Sequence, residues 1–254
     1  MGLAMQDFPR FEESHTFFDS DLDCTGRVGI ARICDLLQAA ATAHADLLGV
    51  GMHDLMKEGH TWMLSSMSVC FDRWPKAMDA VKITTWPSGV RGKIVCYRDY
   101  TIDAPDGARI ARATSDWIYV DIENRRIDRL TPVLTGLAPE GVPRAGVEPA
   151  EKVRRPGGDG PAPAACDIVL RRADTDVNRH VNNVHYIEWL FEPMAESDFA
   201  RRLLRLDISY RAEARMGDAV TSEVTVLEGG RTTLHALRRK ADGAVLVSAT
   251  CRWE

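Results

Sequence analysis

The densest polar segment of the chain runs Arg172-Ala173-Asp174-Thr175-Asp176-Val177-Asn178-Arg179-His180-Val181-Asn182-Asn183. Asp176, Asn178 and His180 alternate within it. In an extended loop that spacing turns all three side chains the same way. A carboxylate, an amide and an imidazole on one face can align a water, accept its proton and steady the oxygen of an attacked carbonyl. Asn182 or Asn183 is placed to cap a following helix. The start of that helix would add backbone N–H donors and a partial positive charge. Direct attack by the Asp176 carboxylate on a carbonyl is the other chemistry such a loop allows.

The elements around this loop occur twice. Residues 107–117 read GARIARATSDW and residues 243–253 read GAVLVSATCRW, an offset of 243 − 107 = 136. Asp79-Ala80-Val81 and Asp218-Ala219-Val220 open two alternating runs, offset by 218 − 79 = 139. Two matches in the same order indicate a duplication, with a period too long for a solenoid. The first half predicts a strand at 11–19 and a helix at 29–48. Strands follow at 61–71, 81–86, 93–103 and 109–120. A Pro- and Gly-rich stretch at about 131–163 predicts a linker. The second half predicts a strand at 167–171 and a helix at 182–198. Its strands follow at 203–212, 219–227, 232–241 and 245–253, the last two turning at Asp242-Gly243. Each half is thus one helix lying across an antiparallel sheet, which needs its buried face covered. The expected fold is α+β, a tandem (double) hotdog, each half a curved antiparallel sheet wrapped around one long helix. The expected domains are 1–130, a linker at 131–163, and 164–254.

Composition narrows the partners. The formal net charge is −5 over 254 residues, unlike the basic field of a nucleic-acid clamp. No run approaches 18 apolar residues, so no membrane span is expected. The N-terminus does not resemble a signal peptide. Six scattered cysteines without a C-x-x-C predict reduced thiols and a cytoplasmic protein.

From Asp174 to Trp189 the pattern D-x-D-V-N-x-H-V-N-N-V-x-Y-I-x-W, with Glu192 beyond it, resembles the signature of acyl-acyl-carrier-protein thioesterases of plants and bacteria. Trp74-Pro75, Tyr97-Arg98-Asp99-Tyr100, Ala113-Thr114-Ser115-Asp116-Trp117 and Tyr210-Arg211-Ala212-Glu213 fit the same family, so the resemblance covers most of the chain. It implies hydrolysis of acyl-carrier-protein thioesters, with an acyl carrier protein as partner and no cofactor. By the resemblance, Asp176 is the catalytic carboxylate, Asn178 and His180 are its partners in the loop, and Glu213 joins from a strand. Some members carry Cys after that Glu. Here it is Ala214, which favours water attack assisted by a carboxylate, with either Asp176 or Glu213 as the base, over a thiol nucleophile. An acyl-CoA thioesterase and a non-catalytic or dehydratase-like acyl-binding hotdog are the competing readings. Either a monomer or a homodimer is compatible with the sequence.

Other constellations have plainer readings. Glu213 sits between Arg211 and Arg215 and would suit a surface ion pair. His185, Glu188 and Glu192 share a helix face without a further ligand cluster, so a polar rim is expected rather than a metal. Asp19, Asp21 and Asp23 precede the first helix as Asp174 and Asp176 precede the second. They read as a degenerate counterpart lacking the Asn and His, in a half expected to do no chemistry. That half is expected to hold the acyl chain, with Leu36, Leu37, Leu47, Leu48, Met52, Leu55, Met56, Trp62, Met63 and Met67 as its apolar stock. An acidic carrier would need basic residues, with Arg154-Arg155, Arg171-Arg172, Arg179 and Arg201-Arg202-Arg205 on offer.

Overall fold

The computed structural model of the protein describes residues 9–149, 153, 161–176, 179–227 and 229–254. The chain divides into two compact units. One runs to Asp21 and resumes over Asp35–Pro149, and the other holds Leu22–Cys34 and continues from Ala150 to Glu254.

The first half contains β1 (Phe11–Thr16), α1 (Ile30–Leu47), α2 (Met52–Lys57), β2 (His60–Phe71), β3 (Ala80–Arg91), β4 (Val95–Asp103), β5 (Arg109–Asp121), β6 (Arg126–Ile127) and α3 (Pro132–Gly136). Its antiparallel strands lie in the order β1-β3-β4-β5-β2, with β6 on β5. The second half contains β7 (Ala164–Ile168), α4 (Asn183–Phe191), α5 (Glu196–Phe199), β8 (Leu203–Tyr210), β9 (Val220–Val226), β10 (Thr232–Arg239) and β11 (Val245–Trp253). Its order is β7-β9-β10-β11-β8, again antiparallel. The two orders are the same, strand for strand. Each half is a hotdog, as expected, and the two copies of the G-A-x-[I/L]-x-x-A-T-x-x-W pattern become β5 and β11.

The helices bury one stripe each. On α1, Ile33, Leu37, Ala40 and Ala41 are buried while Leu47 is 74% exposed, the pattern of an amphipathic helix. The α1 histidine His44 accepts a 3.0 Å hydrogen bond from Arg98 Nη1 on β4. In the second half α4 packs on β9 and β10. Ile187 and Leu190 are fully buried there, each worth about 1.5–3 kcal/mol. Two side chains from the sheet also bind the last turn of α4. Ser222 Oγ donates to Trp189 O at 2.6 Å, and His235 Nδ1 lies 2.8 Å from Leu190 O.

Four expectations need correction. The second helix ends at Phe191 rather than Asp198, because Pro193 lacks the N–H needed to continue the helical hydrogen-bond ladder, although Glu192 before it still has helical backbone. The chain restarts as the separate short α5. The first strand of the second half lies at Ala164–Ile168, upstream of the predicted 167–171. Among the described residues it is an edge strand paired with β9 alone, and Val169 just beyond it is 81% exposed. The helices α2 and α3 and the two-residue β6 have no counterpart among the predicted elements, and α3 falls inside the stretch expected to be a linker. Lastly, Leu36, Leu37, Leu55 and Met67 are buried, whereas Leu47, Met56 and Met63 of the apolar stock are exposed.

Candidate active site

The loop from β7 to α4 is held by its own backbone. A 3₁₀ turn at Arg172–Asp174 leads into an isolated bridge between Thr175 and Val181. Across that bridge Asp176 N donates to His180 O at 2.8 Å, and Arg179 N donates to Asp176 O at 3.0 Å. The Asp176 side chain closes the loop, since its Oδ1 accepts His180 N–H at 3.2 Å. Asn178 lies outside the described residues. Asp174 is fully buried and serves the scaffold. Arg171 gives it a backbone hydrogen bond at 2.7 Å and a guanidinium bond at 2.7 Å, and its own carbonyl accepts Asn182 N–H. Burial works to raise the Asp174 pKa, but the hydrogen bonds and charge of Arg171 outweigh it and the carboxyl lies below its ordinary value.

Glu213 reaches the same place from the segment between β8 and β9. His180 bridges to Arg215, and Val181 N donates to Ala214 O at 3.0 Å. That pairing brings Nδ1 of His180 to 3.4 Å from Oε1 of Glu213, with the two side chains 25% and 42% exposed. The structure therefore places Asp176 on the backbone of His180 and Glu213 on its ring. Tyr186 was not singled out from the sequence. It is buried on α4, and its hydroxyl accepts Ala214 N–H at 2.6 Å, anchoring the residue beside Glu213. Burial pushes its phenol up to about 12, so it stays neutral. The sequence signal was its place in V-x-Y-I-x-W. Ala214 is fully buried, so that position presents no nucleophile.

The family model described as the acyl-ACP thioesterase N-terminal domain matches residues 10–136, and that of the C-terminal domain matches residues 162–254. The chain belongs to the acyl-ACP thioesterase family. The palmitoyl-acyl carrier protein thioesterase of Gossypium hirsutum is 29% identical over 276 residues, spanning 100% of this chain and 66% of its own length. An oleoyl-acyl carrier protein thioesterase of Arabidopsis thaliana is 29% identical over 241 residues, spanning 88% and 65%. Both relatives are named as chloroplastic. The chain thus spans just under two thirds of the length of these curated relatives. In fold it resembles an acyl-ACP thioesterase from Bacteroides thetaiotaomicron, with a TM-score of 0.87 at 20% identity over 99% of this chain and 100% of that one. It also resembles the 12:0-ACP thioesterase from Umbellularia californica, with a TM-score of 0.85 at 22% identity over 100% and 99%.

Within this acyl-ACP thioesterase fold the loop before α1 repeats the loop before α4. Asp23 N donates to Arg27 O at 2.7 Å, Gly26 N to Asp23 O at 3.0 Å, and Arg27 N to Asp23 Oδ1 at 3.4 Å. Leu22 bridges to Val28. These match the bonds of Asp176, Arg179 and His180 at an offset of 176 − 23 = 153. The counterpart of His180 is Arg27. Its guanidinium donates to Arg201 O at 2.7 Å and Phe199 O at 2.8 Å. Arg27 is a structural tie where His180 meets a carboxylate. The turn after the next strand repeats too. Lys76 N binds Asp79 Oδ2 at 3.0 Å and Arg215 N binds Asp218 Oδ2 at 2.9 Å, at the offset of 139. The smaller offset means that the segment between these two landmarks, which carries the main helix, is shorter in the second half.

The remaining candidates divide. Asn182 caps α4, its Oδ1 accepting Val184 N–H at 3.2 Å, and its carbonyl accepts His185 N–H at 3.0 Å. Those helix-start donors, expected to face a carbonyl, are spent on the cap. His185 Nδ1 lies 2.8 Å from Glu188 Oε2 and 4.0 Å from Asp174 Oδ1. Among the described residues no three His, Cys, Asp or Glu come together as a metal cluster. Arg201 binds Glu254 O and Gly230 O, Arg202 binds Glu254, and Arg205 binds Asp207. Arg154 and Arg155 lie outside the described residues.

Proposed function

We propose that the chain hydrolyses acyl-acyl-carrier-protein thioesters to free fatty acid and carrier protein. The observation that carries this is the grip on His180, with one carboxylate on its backbone and another on its ring, inside a loop matching the family pattern. Glu213 beside Nδ1 favours the tautomer that keeps Nε2 as the acceptor. Nε2 then takes a proton from water as the water oxygen attacks the thioester carbonyl. The carbon–sulfur bond breaks on collapse of the tetrahedral intermediate, and the proton passes to the leaving sulfur. Asp176 supplies negative charge that aligns the water. Asn178, by the family resemblance, supplies an amide in the same loop. With the start of α4 already capped, the carbonyl oxygen takes its donors from the loop. The first half holds the acyl chain. Six free cysteines support a reducing, cytoplasmic setting.

Thiol release from one acyl chain presented on carrier protein and on coenzyme A tests the reading. The expected result is a higher kcat/KM on the carrier. Preference for coenzyme A would make the protein an acyl-CoA thioesterase, and no thiol release from either would make it an acyl-binding protein.

A further inference from the structure

Arg179 and Arg215 line an open depression of about 390 Å³ together with His180 and Met216. Their backbone N–H groups bind Asp176 O and Asp218 Oδ2. Among the described residues neither guanidinium makes an ion pair or a hydrogen bond. Arg171, Arg205, Arg238 and Arg239 of the same half each hold a carboxylate. The acidic side chains beside the depression are engaged elsewhere. Glu213 meets His180, and Asp218 takes Arg215 N–H and lies 3.8 Å from Arg239 Nη1.

Arg179 also carries backbone strain. Its φ is +61°, while its counterpart in the first-half loop is Gly26 at +76°. Left-handed backbone suits glycine and strains a residue with a β-carbon. Such strain gathers where the side chain has work to do. Two exposed guanidinium groups on the rim of a depression fit a phosphate, whose oxygens match their planar donor forks.

We propose that Arg179 and Arg215 cradle the phosphodiester of the phosphopantetheine arm that carries the thioester. This rests on the hydrolysis proposed above. The arm is long, so its phosphate sits away from the reacting carbon. Long side chains on the rim suit that position better than groups touching His180. Met216, 50% exposed, offers the arm's branched methyl groups an apolar contact.

The test uses one saturated acyl chain on three thiols: carrier protein, 4′-phosphopantetheine and pantetheine. The wild-type KM is expected to be roughly tenfold or more lower with 4′-phosphopantetheine than with pantetheine. In the Arg179→Gly, Arg215→Ala double variant the two values are expected to converge. Glycine fits the left-handed backbone at position 179, so the loop fold is kept, and circular dichroism checks it. Equal wild-type KM values with and without phosphate would overturn the cradle. So would a double variant whose KM rises only for the carrier-linked substrate, since the arginines would then read the carrier's surface. Hydrolysis of none of the three by the wild type is a different pattern. It removes the thioesterase reading and the cradle with it.

Discussion

Nδ1 of His180 stands 3.4 Å from Oε1 of Glu213, although the two belong to separate segments of the chain. The contact exists because an isolated bridge joins His180 to Arg215 and a backbone bond joins Val181 to Ala214. If Glu213 sets the imidazole's tautomer and angle, Glu213→Gln lowers kcat by ~10²-fold or more. The Glu213 side chain is 42% exposed, so melting temperature stays near wild type. A kcat within twofold of wild type would leave Glu213 as a surface residue.

Tyr186 makes a prediction about stability. Its hydroxyl oxygen accepts the buried Ala214 N–H at 2.6 Å. Tyr186→Phe leaves that donor unsatisfied, at a cost of about 1–3 kcal/mol. For a chain of this size each kcal/mol moves Tm by about 2–4 °C. Calorimetry is expected to show a lower Tm, with a drop in kcat because Glu213 loses its anchored neighbour. An unchanged Tm would show that the bond holds nothing.

Arg179 makes the opposite prediction. Relief of left-handed strain is worth about 1–2 kcal/mol, so Arg179→Gly raises Tm by about 2–8 °C. Arg179→Ala, which keeps a β-carbon, is expected not to. Equal melting temperatures for the Gly and Ala variants would contradict the strain argument.

His235 links stability to acid. It is fully buried, between Leu190 O and Thr233 Oγ1. Burial lowers its pKa to about 4 from 6.5. Between those values the unfolded chain binds the proton and the folded chain does not. Stability contributed by the neutral ring is therefore present above pH 6.5 and is lost as pH falls towards 4. Urea unfolding at pH 7, 6 and 5 is expected to give falling midpoints, and His235→Asn to flatten the trend. The same slope in the variant would place the acid sensitivity elsewhere, with His44, also lowered to about 4 by burial and by Arg98, the next residue to change.

Strand order was legible because each half alternates apolar residues between clear turn signals. The loop stood out by its density of polar residues, but Asp176 and His180 meet across a tight turn rather than along the extended chain that their alternation predicted. The partnership of His180 with Glu213 was not visible in local spacing, since the fold alone brings the two segments together. Family resemblance named Glu213, and the bridge to Arg215 supplies the physical reason. Pro193 carried a stop signal that the helical pattern beyond it concealed. The strand β7 was misplaced because an edge strand buries little, and Ala164-Ala165 has no alternation to read. Arg27 as the altered twin of His180 became legible only through backbone hydrogen bonds, because the two loops share little beyond their aspartates.

On the proposed function, Asp176 and His180 of the loop, together with Glu213 from the segment between β8 and β9, cleave a carrier-linked thioester. Asp176→Asn tests it most directly, because the amide keeps an oxygen for His180 N–H, now bound at 3.2 Å, while the charge is lost. Free-thiol release from acyl-carrier protein at saturating substrate is predicted to fall ~10²–10³-fold, the loss expected when a preorganised electrostatic group is removed, with Tm unchanged. Thiol release at the wild-type rate would contradict the account.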